Sequence, residues 1–324
     1  MDVIASRMNR RRPGRDPLTI VGGDGRVTGE DVRRARRFDP LSLITEVNER
    51  TGAGLRLVGM ADRGESGGAA FVSWPDGRQA VVTRRPEPLG AVSLTAEVLE
   101  LACGGDLPVP RHELVVALAE GVAVVQQRLP GRPAELVDVS VIDAMVAMNE
   151  RFAGLLVKRL DVPIPPLYLR RSGPTYFRHE TLARHSPRSR RLLQRIRQIG
   201  ATEPHEMNGT DLLHADYSLG NVLFDATGAV SGVVDWGAAR GDRHFALVGL
   251  RFDLAWSALD SGGAVTVEPA TLGRLDDILT ALVDPVDLRV YWAHWTLRQL
   301  DWTVSHHGPA DIDLHLELGE SRLL

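Results

Sequence analysis

From Leu212 the chain reads Leu-Leu-His-Ala-Asp-Tyr-Ser-Leu-Gly-Asn-Val-Leu-Phe, then a turn over Asp225 to Gly228, then Val230 to Val234 leading into Asp235-Trp236-Gly237. Two short apolar runs on either side of a turn predict a hairpin, and this hairpin delivers three polar side chains, Asp216, Asn221 and Asp235, to one place. Taken singly, each carboxylate suits a turn cap or a strand end, and an Asp-rich hairpin without chemistry is the plain alternative. Taken together they form another inventory: one carboxylate to orient and deprotonate a hydroxyl, and oxygen ligands for a hard divalent cation. Phosphoryl transfer requires those parts and little covalent help.

Around this segment the chain is strand-rich first and helical second. Residues 1–39 carry Arg10, Arg11, Arg12 and Arg15 and then Arg33, Arg34, Arg36 and Arg37 among Gly and Pro, which reads as a solvated flexible arm; a nucleic-acid contact is the sharper alternative, without a folded recognition motif to accompany it. A short helix from Leu41 to Gly52 precedes an antiparallel meander. Its strands are Leu55 to Val58, Ala69 to Trp74 and Gln79 to Thr83, with a glycine-bearing loop Gly59 to Gly68 and the turn Pro75-Asp76-Gly77 between them. A helix from Ser93 to Ala102 follows, then strands Leu114 to Leu118 and Val122 to Gln127. Leu129-Pro130-Gly131 marks a boundary between a first domain, 40–128, and a helical second one, 129–324. There Ser140 with Asp143 opens a helix running to about Arg159, and Ser186-Pro187 opens an arginine-rich one.

His214-x-Asp216-x-x-x-x-Asn221 followed by Asp235-Trp236-Gly237 resembles the aminoglycoside phosphotransferase family, small-molecule and antibiotic kinases related to protein kinases. The resemblance extends from about Leu41 onward and implies an α+β, two-lobed protein-kinase-like fold, with a small antiparallel-sheet lobe and a larger helical lobe. It implies that Asp216 is the catalytic base, that His214 supports the loop, and that Asn221 and Asp235 hold Mg²⁺. ATP or GTP is the implied co-substrate, with its purine against Val122 to Gln127 near Gln127 and its phosphates cradled by the amides around Gly64, Ser66, Gly67 and Gly68. The implied partner is a small-molecule hydroxyl acceptor, an antibiotic or another secondary metabolite.

One departure is visible by inspection. Kinases of this type set a lysine on the third strand, paired with a glutamate of the next helix. Here Thr83 stands at the lysine position and Leu94 or Thr95 where the glutamate is awaited, and all but one of the 38 basic residues are arginine, the exception being Lys158. Arg85 lies two residues past Thr83 and so on the same strand face, where its guanidinium can meet phosphate oxygens. Two other expectations compete: that the loop amides around Gly64 to Gly68 and the metal ions do most of the work, or that the chain is a nucleotide- or ligand-binding pseudokinase.

The acceptor leaves mixed signs: an arginine-rich stretch from Leu160 to Gly200 suits an anionic acceptor, and the acidic stretch after Gly241 suits a polyamine. Asp242 reads as a buried acid at a helix start. Tyr291, Trp292, Trp295 and Trp302 suit helical packing or a stacking platform, and His294, His306 and His307 lack the company of a metal site. A single cysteine, Cys103, and the lack of any spanning-length apolar run make a reducing cytoplasm the expected compartment, with no membrane partner.

Overall fold

The alternation in Ala70-Phe71-Val72-Ser73 and Gln79-Ala80-Val81-Val82 sends one residue set to each face of a sheet, and both faces are covered. The computed structural model describes residues 19–21 (backbone only), 39–60, 68–203, 206–259 and 265–324, divided into two units at Pro130/Gly131.

The first unit holds β1 (Thr19–Val21), α1 (Pro40–Thr51), β2 (Arg56–Met60), β3 (Ala70–Ser73), β4 (Gln79–Arg85), α2 (Leu89–Gly104), β5 (His112–Ala117) and β6 (Val122–Gln127). The strands form one sheet in the order β1-β5-β6-β4-β3-β2, antiparallel from β2 to β6. The segment expected as an arm contributes β1, which pairs parallel to β5; its arginines fall outside the described residues. On one face Leu43, Ile44 and Val47 of α1 pack on Ala70, Val72, Ala80, Val82 and Val125. On the other, Val92 and Ala96 of α2 pack on Val115, Val122 and Val124. Asp39 caps α1 by accepting from the Leu41 amide at 3.1 Å. α2 begins at Leu89 rather than Ser93, directly after Pro88.

The second unit holds β7 (Leu136–Val137), α3 (Val139–Glu150), α4 (His179–His185), α5 (Pro187–Thr202), β8 (Asp211–Leu212), β9 (Val222–Phe224), β10 (Val230–Val233), β11 (Arg240–Gly241), α6 (His244–Leu259), β12 (Thr266–Val267), α7 (Pro269–Leu282), α8 (Pro285–His306) and α9 (Pro309–Leu323). The short strands make three two-stranded pairs: β9 with β10, β8 with β11, and β7 with β12. α8 is the buried axis, its side chains covered from Val290 to Leu297 and packed on α4, α5, α6, α7 and α9.

α3 differs from its expected course. Asp138, not Ser140, caps it by accepting from the Val141 amide at 2.9 Å, and the helix stops at Glu150 instead of running to Arg159. The following turns bind the segment leading to His214 instead: the Phe152 carbonyl accepts from Leu212 N, Leu156 N donates to the Thr210 carbonyl, and Gly154 N donates to Asp211 Oδ1 at 2.7 Å.

The arginine-rich helix α5 uses its charges internally. Arg188 pairs with Glu320 and Asp313 of α9, Arg195 donates to the Leu323 carbonyl at 2.8 Å, and Arg197 donates to His179 Nδ1 at 3.1 Å. Among the described residues no helix is long and apolar enough to cross a membrane.

Candidate active site

β8 brings the chain to His214, and β11 covers it from the other side: Leu213 N donates to the Ala239 carbonyl. A loop and a single 3₁₀ turn over Leu219–Asn221 lead into β9. Asp225 closes the hairpin, its Oδ1 accepting from the Thr227 and Ala229 amides at 2.8 and 3.1 Å. Asp225 is therefore the turn-capping acid of this segment. Asp216 makes no such cap, and its carboxylate is presented to solvent with the side chain 52% exposed.

His214 ties the two halves of the motif together. Its Nδ1 accepts from the Asp216 amide at 3.2 Å, which leaves the proton on Nε2, donated to the Val234 carbonyl at 2.8 Å. One buried imidazole thus fixes the backbone of Asp216 and of the residue preceding Asp235. Beneath it lies an aromatic layer: the Trp236 ring at 4.4 Å from His214 and the Phe152 ring at 5.3 Å from Trp236. Tyr217 donates its hydroxyl to the Met145 carbonyl at 2.8 Å, and burial pushes that phenol up. Burial of each large ring contributes on the order of 2 kcal/mol, so the hairpin rests on packed apolar mass.

Asn221 Nδ2 donates to the Asp216 carbonyl at 2.9 Å, which leaves its Oδ1 as acceptor, and the Asn221 carbonyl accepts from Val234 N at 2.9 Å. Asp235 is exposed, with φ of 62° in the left-handed region. Oxygen donors alone, from one amide and one carboxylate, fit a hard cation such as Mg²⁺, which takes only one or two protein ligands and completes its shell with water and phosphate. Among the described residues no group of three His, Cys, Asp or Glu side chains assembles a metal cage.

Two further contacts are invisible to motif reading. Asp253 of α6 accepts from the Leu219 amide at 2.7 Å, and Arg298 of α8 sets Nη2 3.2 Å from Asp216 Oδ1. Both come from helices remote in sequence and carry no local signature. Gly131 is a third support: at φ 94° its bare Cα faces the hairpin, and a Cβ there would stand 2.6 Å from the Phe224 carbonyl and strike Ser231 Oγ.

Asp242 lies at the start of α6, half-buried, and accepts from the His244 amide at 2.9 Å and from the Tyr291 hydroxyl at 3.0 Å. Arg243 spans Glu150 and Asp211 at 2.6 and 2.8 Å, so this network braces the strand that enters the loop of His214 and Asp216. His244 lies between Glu150 at 2.9 Å and Asp242 at 3.1 Å; burial pulls its pKa down, and the two carboxylates outweigh burial and raise it. Burial likewise resists, and the Arg243 and His244 donors overcome, in holding Glu150 below the usual carboxylate range.

Of the expected nucleotide contacts, Gly64, Ser66 and Gly67 lie outside the described residues, and Gly68 follows them with φ of 80°. Thr83 and Arg85 stand opposite Val124 and Val122 of β6, on the α2 face of the sheet. Thr95 of α2 is buried and turns its hydroxyl back to the Ala91 carbonyl at 3.0 Å. His112 is pushed down to about 4 by burial and then by the charge of Arg85. Gln127 donates its amide to the Arg111 carbonyl. Tyr291, Trp292 and Trp295 are core residues, while Trp302 is half-buried. His294 is fully enclosed, and burial, helped by Arg298, pushes it down to about 3.

Residues 62–263 match the model of the phosphotransferase enzyme family, APH. No curated protein sequence matches the chain. Among solved structures, aminoglycoside phosphotransferase APH(4)-Ia superposes with a TM-score of 0.59 at 15% identity, covering 88% of this chain and 98% of that one. A thermostable mutant of that enzyme, in a ternary complex with ADP and hygromycin B, gives 0.57 at 16% identity over 87% and 98%. An aminoglycoside-3'-phosphotransferase of type VIII gives 0.52 at 22% identity over 79% and 98%. At these identities the likeness establishes the fold, the two-lobed protein-kinase-like one.

Proposed function

Since the chain belongs to the phosphotransferase enzyme family, we propose that it transfers the γ-phosphoryl group of ATP or GTP, with Mg²⁺, to a hydroxyl of a small molecule. The observation that carries this reading is Asp216: a solvent-facing carboxylate, not spent on a turn, whose backbone shares one buried imidazole with the residue before Asp235. A structural aspartate has no need of that arrangement.

In this reading Asp216 orients the acceptor hydroxyl in line with the γ-phosphorus and takes its proton. His214 and Asp253 hold the loop so that this carboxylate stays in place, which matters because positioning supplies much of the rate in phosphoryl transfer. Asn221 and Asp235 would hold the metal, and Mg²⁺ when bound neutralises the charge that builds on the phosphate oxygens. Arg85 takes over the phosphate contact that a lysine makes in relatives, on the α2 face with Thr83. Gly64, Ser66, Gly67 and Gly68 supply amides, and the strand ending at Gln127 supplies the purine contact. The nucleotide and aminoglycoside in the ternary complex of the APH(4)-Ia mutant support a nucleotide co-substrate and a small-molecule acceptor here.

A second reading, a nucleotide-binding pseudokinase, draws on Thr83 in place of lysine and on the inward-turned Thr95. Single-turnover transfer from γ-labelled ATP and GTP to a panel of hydroxylated acceptors, with Asp216→Ala as control, separates the two. Transfer abolished by the substitution supports the enzyme; tight Mg-nucleotide binding without transfer or hydrolysis supports the pseudokinase.

A further inference from the structure

The phosphotransferase reading leaves the acceptor open, and the surroundings of Asp216 narrow it. Arg298 of α8 is held on two sides: its Nη2 lies 3.2 Å from Asp216 Oδ1, and its guanidinium lies over the buried Trp295 indole, 4.8 Å from the ring centroid. Leaving the base would forfeit the cation–π contact as well as the ion pair. The Arg298 side chain is still 26% exposed, so a fixed cation faces solvent beside the carboxylate that must receive the acceptor. That is the wrong charge for a polyamine.

Several acids of the helical unit are engaged by other residues of the chain. Asp276 pairs with Arg251 and Arg322, Arg188 takes Asp313 and Glu320, and Asp311 accepts from Trp256 Nε1 at 3.0 Å. Buried Asp301, three residues after Arg298, accepts from the Arg178 amide at 2.8 Å. These five acids after Gly241 therefore serve packing.

The reaction itself changes the charge at this spot. As the acceptor O–H breaks, its proton passes to Asp216, the acceptor oxygen bonds to the γ-phosphorus, and the bond to the β-bridging oxygen breaks to release the nucleoside diphosphate. Asp216 is then neutral and Arg298 has lost its counter-charge. An anionic group on the acceptor supplies it, and a guanidinium fork matches carboxylate and phosphate oxygens.

We propose that the acceptor is a hydroxylated small molecule bearing a carboxylate or phosphate near its reacting hydroxyl, that Arg298 binds this group, and that polycationic acceptors are excluded. The inference rests on the phosphotransferase reading of the same site.

The test is transfer from γ-labelled Mg-ATP by the full chain to matched acceptors: glucose, glucuronate and glucosamine; glycerol, glycerate, glycerol phosphate and aminopropanediol. An anionic member should exceed its amine counterpart at least about tenfold in kcat/KM, and the carboxylate and phosphate arms distinguish the two anion classes. Arg298→Gln should erase that preference through KM for the anionic member, and Arg298→Lys should keep most of it, an outcome a merely structural role would not give. Equal or better transfer to amines, an unchanged preference in Arg298→Gln, or no transfer to any anionic member by a chain that still hydrolyses Mg-ATP would each overturn the proposal. Loss of all Asp216-dependent turnover, even to water, strikes the phosphotransferase reading instead.

Discussion

The carboxylate of Asp253 accepts from the backbone amide of Leu219 at 2.7 Å, so a residue on α6 pins the 3₁₀ turn that carries Asn221. A hydrogen bond to a charged acceptor contributes about 1.5–3 kcal/mol. Asp253→Ala should leave a folded chain with a lower Tm and reduce kcat by about ten- to a hundredfold through loss of positioning. An unchanged kcat would mean that the turn keeps its place without this anchor.

Asp235→Asn and Asn221→Ala should raise the Mg²⁺ concentration needed for half-maximal turnover and lower kcat by at least about a hundredfold. A magnesium titration at saturating nucleotide checks this. If both variants keep the wild-type metal dependence, the metal is held by other groups.

Arg85→Ala should raise the nucleotide KM or lower kcat steeply, and Arg85→Lys should restore much of the loss. The same substitution has a readout independent of activity. Because the charge of Arg85 helps depress His112 to about 4, removing it should move that imidazole upward in an NMR titration, though burial keeps it below 6.5.

The Glu150–His244–Asp242 array should give stability a pH dependence of definite sign. His244 titrates above its ordinary 6.5 in the folded chain, so its contribution is complete below about pH 6.5 and is lost as pH rises through the folded value. Glu150 and Asp242 titrate below their ordinary 4.5 and 3.8, so theirs is present above those values and is lost as pH falls through the folded ones. Urea midpoints across pH 4 to 9 should decline on the alkaline side in the wild type, and His244→Gln should flatten that decline. An identical slope in the variant would assign it to other groups.

The candidate catalytic hairpin is legible in the sequence because its information is local: turn chemistry at Asp225 to Gly228, short apolar runs, and polar residues at fixed offsets. The meander around Pro75-Asp76-Gly77 is legible for the same reason, with Gly77 at φ 87° where the turn needs it. The end of α3 is not, since Val157 and Lys158 are compatible with a continued helix, and it is the distant backbone of Thr210 and Leu212 that draws the chain away. Asp253 and Arg298 are equally hidden: one is an acid and the other a base on otherwise packed helices, and only the tertiary fold sets them against Leu219 and Asp216. Charge counts mislead where a fold consumes the charges, as α5 and α9 do with Arg188, Asp313 and Glu320.

Asp235 occupies a backbone conformation, φ 62°, that glycine adopts freely and other residues adopt at a cost of about 1 kcal/mol or more. On the proposed function, a demand for turnover and a demand for an unstrained backbone pull this position in opposite directions. If Asp235 holds the metal as proposed, a variant such as Asp235→Gly that relaxes this backbone would give up the site, so any campaign to harden this protein has to score activity in the same round.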